Sequence, residues 1–153
     1  MTRKEIIKTF AGFCGSGAGA KGMNEGEAKV GEAEAQFECV GGFDIDAAAV
    51  RDFEMMTKVR GTVLDAFSLE QYQAFHGKEP PPGWREATPQ DMHRAAGYQR
   101  PDVAFLSSPC KGLSGLLSKT LSLTAKYQAL NELTVRGVWL MLPCPRCSAR
   151  QRR

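Results

Sequence analysis

The sequence has no run of about 18 apolar residues, the length that a membrane-spanning helix needs. Its N-terminus reads Met-Thr-Arg-Lys-Glu, whereas a secretory signal would carry an apolar core there. We therefore expect no membrane association and a cytoplasmic location. The five cysteines, an odd number spread from Cys14 to Cys147, do not form the dense even framework of a small secreted domain, so we expect free thiols.

Length and composition indicate a folded globular chain. The 153 residues suffice for one domain. The fractions of hydrophobic residues, 42%, and of charged residues, 24%, are close to the averages for soluble globular proteins and suggest neither a disordered nor a fibrous class. A net charge of +3 is weak support for nucleic-acid binding, because an ordinary basic surface explains it about as well.

Strand and helix signals alternate along the chain. Four β-prone stretches are predicted as strands, at 6–10, 37–45, 62–65 and 102–106. The last of these is as apolar as a strand buried on both faces of a parallel sheet. Helices are predicted at 47–56, at 68–75 with Ser68 as N-cap, and as one long helix over 121–142.

Two segments carry no clear helix or strand pattern. Residues 24–36 lack apolar periodicity and are expected to form a helix fragment or an exposed connection, and the proline-rich residues 78–85 a surface loop. The alternation elsewhere predicts an α/β sandwich around a mostly parallel sheet. Ligands of such folds bind beyond the carboxyl ends of the strands, where the glycine-rich loop, Asp44, Asp65 and Cys110 are expected to converge.

The first candidate site is the glycine-rich segment Phe10-Ala11-Gly12-Phe13-Cys14-Gly15-Ser16-Gly17-Ala18-Gly19. Glycine accepts positive φ and lets a ligand approach the backbone closely. A flexible loop without a ligand is the alternative. A dinucleotide site is disfavoured, because the G-x-G-x-x-G pattern is only approximate from Gly15 to Gly22.

Acidic residues end two of the predicted strands. Asp44, with Asp46 as second choice, can accept hydrogen bonds from both hydroxyls of a ribose, and Asp65 from an exocyclic adenine amine. For each acid, a solvated or helix-capping role is equally compatible with the sequence.

Cys110 follows a proline where the last predicted strand ends, and Lys111 beside it could favour the thiolate. A packed, unreactive cysteine is the alternative.

Together these segments resemble the cytosine-5 DNA methyltransferases. Residues 10–19 are similar to the family's first motif, departing from it at Cys14, and Phe43-Asp44-Ile45-Asp46 is similar to the second, with Asp for the more usual Glu. Asp65 matches the third motif loosely. Ser107-Ser108-Pro109-Cys110-Lys111-Gly112-Leu113-Ser114 resembles the fourth, with Lys where Gln is common. The resemblance covers roughly residues 4–142.

The resemblance implies a Rossmann-like methyltransferase fold and methyl transfer from S-adenosylmethionine to C5 of cytosine in double-stranded DNA. Cys110 would be the nucleophile that adds to a cytosine flipped out of the duplex. The implied cofactor-binding residues are Phe10, Ala11, Gly12, Gly15, Asp44, Ile45, Asp65 and Ser108.

The family's later motifs, including its Glu-Asn-Val and its target-recognition region, are not visible in the sequence. We therefore expect residues 1–142 to be the cofactor-binding and catalytic-loop part of an incomplete methyltransferase domain, inactive alone, and 143–153 to be a basic disordered tail. Half of a zinc site at Cys144 and Cys147 is disfavoured, since no second ligand pair is well placed. A nucleotide-binding module without chemistry and an inactive remnant stay open as alternatives.

Overall fold

A computed structural model describes residues 3–142 of the chain, which form an α/β structure with five strands and six helices in that range. These residues divide into two compact units. The first contains the residues up to Leu64 together with Met92–Ser107, and the second contains Asp65–Asp91 together with the residues from Ser108 onward. Within residues 3–142, no helix has the length and apolar character that a membrane span requires.

The first unit is built on a mixed sheet. Its strands are β1 (Arg3–Gly12), β2 (Glu27–Val30), β3 (Ala33–Asp44), β4 (Gly61–Val63) and β5 (Val103–Leu106). They lie in the order β2-β3-β1-β5, and β4 pairs with the last residues of β3. The pairs β1–β3, β1–β5 and β3–β4 are parallel, whereas β2–β3 is antiparallel. The predicted α/β class is therefore confirmed.

Two helices connect the parallel strands of this unit. Helix α1 (Ala18–Asn24) follows β1, and α2 (Ala47–Thr57) joins β3 to β4. Asp46 is the N-cap of α2, because its Oδ1 accepts from Ala48 N at 2.8 Å. The predicted helix at 47–56 is thus confirmed with one further residue at its end.

Residues 24–36 were expected to form a helix fragment or a connection, and this is wrong for most of them. They form β2, a turn and the first part of β3. Gly31, at φ 60°, makes the tight turn possible. Lys29 lies opposite Glu34 in the resulting antiparallel pair, so this charged stretch is compatible with a solvated strand pair.

Strand β5 was predicted to be buried on both faces, and this is also wrong. Val103 and Phe105 are 41% and 43% exposed. Within the described residues β5 pairs with β1 alone, so it lies at an edge of the sheet. An apolar run by itself does not distinguish a central strand from an edge strand.

The second unit contains helices packed on one another. They are α3 (Leu69–His76), α5 (Lys119–Ser122) and α6 (Ala125–Leu140), and α3 packs against α6. Helix α3 starts at the predicted Ser68 N-cap, which forms a capping box with Gln71. The single helix predicted over 121–142 is wrong, because Thr124 has an extended backbone with φ −68° and ψ 150° and acts as the N-cap of α6.

The remaining helix, α4 (Pro89–Ala95), was not predicted. Thr88 stands before Pro89, and its N–H and hydroxyl both donate to Asp91 Oδ2, at 3.0 and 2.8 Å. A threonine cap, a proline at the first helical position and an acid in the first turn are known start signals, so this helix could have been found from the sequence.

Asp91 is the buried acid of this helix start. Arg85 donates to its two oxygens at 2.8 and 2.6 Å. This guanidinium, helped by the hydrogen bonds from Thr88, holds the pKa of Asp91 well below its usual range against the opposing effect of burial. The carboxylate therefore stabilises the folded state only while it is ionised.

We predict that Asp91→Asn weakens the pH dependence of stability in acid. Because the folded-state pKa is lowered, the contribution of Asp91 is complete above its unfolded pKa, about 3.9, and is lost as the pH falls below it. The urea midpoint of the variant should be lower than that of the parent at about pH 7, and it should fall less steeply as the pH is lowered to about 3. Asp52→Asn, on the exposed surface of α2, is the control. Parallel curves for Asp91→Asn and the parent chain would contradict the prediction.

Candidate functional site

The glycine-rich segment forms a loop between β1 and α1. Cys14 N donates to Phe43 O at 2.9 Å, and Gly17 N donates to Cys14 O at 3.0 Å, so the loop turns back over the end of β3. Phe13 has φ 53°, unusual for a residue with a side chain, and its ring meets Phe43 edge-on with centroids 5.0 Å apart. The neighbouring β3 thus defines the shape of the loop.

Two glycines are required in this loop for different reasons. Gly15 has φ 51° with open space where a Cβ would lie, so its requirement is conformational. Gly17, at φ 87°, would in addition place a Cβ 2.9 Å from the Cα of Phe53 in α2. The turn and the close approach of loop to helix therefore both depend on glycine.

Asp44, the last residue of β3, meets this loop directly. Gly15 N donates to Asp44 Oδ2 at 2.9 Å, and Asp46 N donates to Asp44 Oδ1 at 3.0 Å. The carboxylate is thus fixed by two backbone N–H groups and is only partly buried. The predicted meeting of the glycine-rich loop with a strand-end acid is present in the structure.

Cys14 lies beside this pair. Burial, and then the charge of Asp44, raise the pKa of its thiol to about 12. Burial also raises the pKa of Cys39, which belongs to the adjoining core cluster of Ala11, Ala20 and Phe53. Both thiols therefore stay protonated near neutral pH and are poor nucleophiles.

The other predicted residues of the first unit differ in accessibility. Phe10 and Ala11 are 0% and 4% exposed, and Phe10 packs against Phe43, so the ring of Phe10 belongs to the core. Gly12 ends β1, where a Cβ would lie 2.5 Å from Leu106 Cδ2. Ile45 is 56% exposed and follows Asp44 directly. Direct cofactor contacts of Phe10 and Ala11 stay predictions.

Asp65 belongs to the second unit. Its Oδ1 accepts from Phe67 N at 2.9 Å, and its Oδ2 accepts from the indole N–H of Trp84 at 3.0 Å. Trp84 also packs on Tyr72, with ring centroids 5.0 Å apart. No motif in the sequence connects Trp84 with this acid, because 19 residues separate them.

Cys110 lies in the long loop that precedes α5 and is exposed. Its carbonyl accepts from Leu113 N and from Ser114 N, both at 2.9 Å, which closes a turn directly after the thiol. Ser108 is hydrogen-bonded to Thr134 of α6, with their hydroxyl oxygens 2.6 Å apart. The thiol is therefore accessible on a loop with defined backbone contacts.

The structure thus brings Gly15 and Asp44 together, while Asp65, Ser108 and Cys110 belong to the second unit, and their convergence with Asp44 stays a prediction. Comparisons with protein-family models, with curated proteins and with solved structures found no match for this chain. Among residues 3–142, no cluster of His, Cys, Asp or Glu could hold a metal ion. Cys144 and Cys147, like the predicted basic tail, lie outside the described residues.

Proposed function

We propose that the glycine-rich loop and Asp44 bind S-adenosylmethionine, and that the chain is part of a DNA cytosine-5 methyltransferase with a Rossmann-like fold. The observation that supports this most is the 2.9 Å hydrogen bond from Gly15 N to Asp44 Oδ2. It joins the loop after the first strand of the sheet to the acid at the end of the neighbouring parallel strand. Nucleoside ligands of open α/β sheets bind at this kind of edge.

The residues present at this edge fit such a ligand. A carboxylate offers about four acceptor positions, and the two hydrogen bonds from Gly15 and Asp46 leave capacity for both hydroxyls of a ribose. Open space beside Gly15 allows a ligand to approach the backbone. The exposed side chain of Ile45 is available to cover an adenine ring.

Cys110 is proposed as the nucleophile. Its thiolate would add to C6 of cytosine, so that C5 becomes nucleophilic, and the cofactor would supply the methyl group. Loss of the C5 proton and elimination of the Cys110 sulfur would then restore the aromatic ring. The exposure of Cys110 supports this role, since Cys14 and Cys39 are more buried and have raised pKa values.

The cofactor proposal predicts that Asp44→Ala weakens binding of S-adenosylmethionine by about tenfold or more. Each hydrogen bond to a charged group contributes about 1.5–3 kcal/mol, so loss of even one has an effect of this size. Titration calorimetry on the purified chain measures it. Asp44→Asn, which retains an acceptor for Gly15 N, separates loss of the ribose contact from loss of loop anchoring.

Asp52→Ala is the matched control, because it removes an exposed acid from α2 in the same unit. It should bind the cofactor like the parent chain. If a nicotinamide dinucleotide binds and S-adenosylmethionine does not, the cofactor assignment is wrong. Cofactor binding without any reaction at Cys110 would instead favour a nucleotide-binding module without catalysis.

A further inference from the structure

The loop that carries Cys110 is held against α6 at two points. Ahead of the cysteine, the hydroxyl oxygens of Ser108 and Thr134 are 2.6 Å apart. Beyond it, Gly112 packs on the side-chain amide of Asn131, so closely that a Cβ on Gly112 would lie 2.5 Å from Asn131 Oδ1 and 2.7 Å from Nδ2. Asn131 and Thr134 are three residues apart and therefore share one face of the helix.

The Gly112 contact has a second feature. Asn131 Oδ1 is buried, and among the described residues it has no hydrogen-bond partner. A buried acceptor without a partner is unfavourable, and native structures contain few of them. The Asn131 amide is thus packed against the loop backbone in an arrangement that is unfavourable for its oxygen. Such an arrangement indicates a specific role more strongly than close packing alone.

We propose that Thr134 and Asn131 are positioning residues for the Cys110 loop, fixing it on both sides of the thiol. The catalytic importance of this positioning rests on the proposed function of Cys110. The contacts of Thr134 and Asn131 with the loop do not depend on that function. A larger residue at position 112 would displace the Asn131 amide, because a Cβ there would overlap it. The turn closed by the Cys110 carbonyl begins between the two fixed points and contains Gly112.

Hydrogen exchange of the full chain, followed by mass spectrometry, tests the fixation at Thr134. Thr134→Val keeps the shape of the side chain and removes its hydroxyl. Amides of residues 108–114 should exchange roughly fivefold faster, the size expected for loss of one hydrogen bond. Thr134→Ser retains the hydroxyl and should restore the parent rate. Because Thr134 is exposed, the urea midpoint should stay unchanged in both variants.

The second contact is tested by a double-mutant cycle. Gly112→Ala should accelerate exchange in the same segment, since the new methyl overlaps the amide of Asn131. Asn131→Ala creates room for that methyl, so Gly112→Ala should have little further effect in the Asn131→Ala background. Additive effects of the two substitutions would show that the contact does not hold the loop. Unchanged exchange in Thr134→Val would likewise overturn the inference.

The positioning role is measured in a form of the protein that methylates DNA, as adduct formation at Cys110 with S-adenosylmethionine and DNA containing 5-fluorocytosine. After methyl transfer to C5 the fluorinated ring has no C5 proton to lose, so the Cys110 sulfur stays attached to C6. Thr134→Val should slow this adduct about tenfold, because misplacement of a reacting group strongly reduces rate, and Thr134→Ser should recover it. Faster exchange without a slower adduct would overturn the positioning role. If a form of the protein that methylates DNA yields no adduct at Cys110, the proposed function fails, while the exchange experiments on the full chain still decide whether α6 fixes the loop.

Discussion

In any form of this protein that methylates DNA, Cys110→Ser is expected to abolish methyl transfer. A serine hydroxyl is almost fully protonated near neutral pH, whereas a cysteine supplies some thiolate and is intrinsically more nucleophilic. Since the proposed mechanism begins with attack of this sulfur on the cytosine ring, the loss should be at least about a thousandfold. Transfer of a labelled methyl group to mixed-sequence DNA measures it.

The same substitution should leave the affinity for S-adenosylmethionine nearly unchanged, because Cys110 acts on cytosine. Leu116→Ser is the matched control, since it introduces serine at a residue of the same stretch that is 78% exposed. Equal methylation by the Cys110→Ser variant and the parent would remove this cysteine from the mechanism. Lost cofactor affinity would point to a role of Cys110 in packing.

Local signals in the sequence predicted several elements correctly. The Ser68 cap, the helix after Asp46 and the meeting of the glycine-rich loop with Asp44 depend on residues close together in sequence or on a general rule for parallel sheets. Such features can be predicted without knowing which distant residues are in contact. The α/β class followed from the same alternation of strands and helices.

The errors share a different cause. Residues 27–30 and 33–36 form strands because partners across the sheet satisfy their backbone groups, although the segment lacks apolar periodicity. Strand β5 is exposed because of its place in the strand order. The positioning contacts of Asn131 and Thr134 join residues 19 and 26 positions apart, and no motif marks them. Tertiary context decides all of these features.

Gly41 is another residue whose role depends on tertiary contacts, and its substitution is expected to have a large effect on stability. The β1–β3 register shifts between Thr9 and Phe10, so Thr9 pairs with Cys39 and Phe10 with Gly41, leaving one extra residue in β3. This irregularity places Gly41 against the end of α4. A Cβ on Gly41 would overlap the carbonyl oxygen of Ala95 and lie 3.2 Å from the Cα of Ala96. These are backbone atoms, which cannot rotate away.

We therefore expect Gly41→Ala to destabilise the fold by about 3 kcal/mol, the upper end of the usual cost of overpacking. Urea denaturation of the purified chain measures the change in unfolding free energy. The affinity for S-adenosylmethionine should fall as well, because β3 carries Asp44 only three residues beyond the displaced backbone. Gly22→Ala is the matched control: Gly22 lies in α1 with nothing within 4 Å of its Cβ position, and alanine favours helix there by about 1 kcal/mol. Equal stability of Gly41→Ala and the parent would show that β3 and the end of α4 are not packed as described. The framework that places Asp44 beside the glycine-rich loop would then be wrong as well.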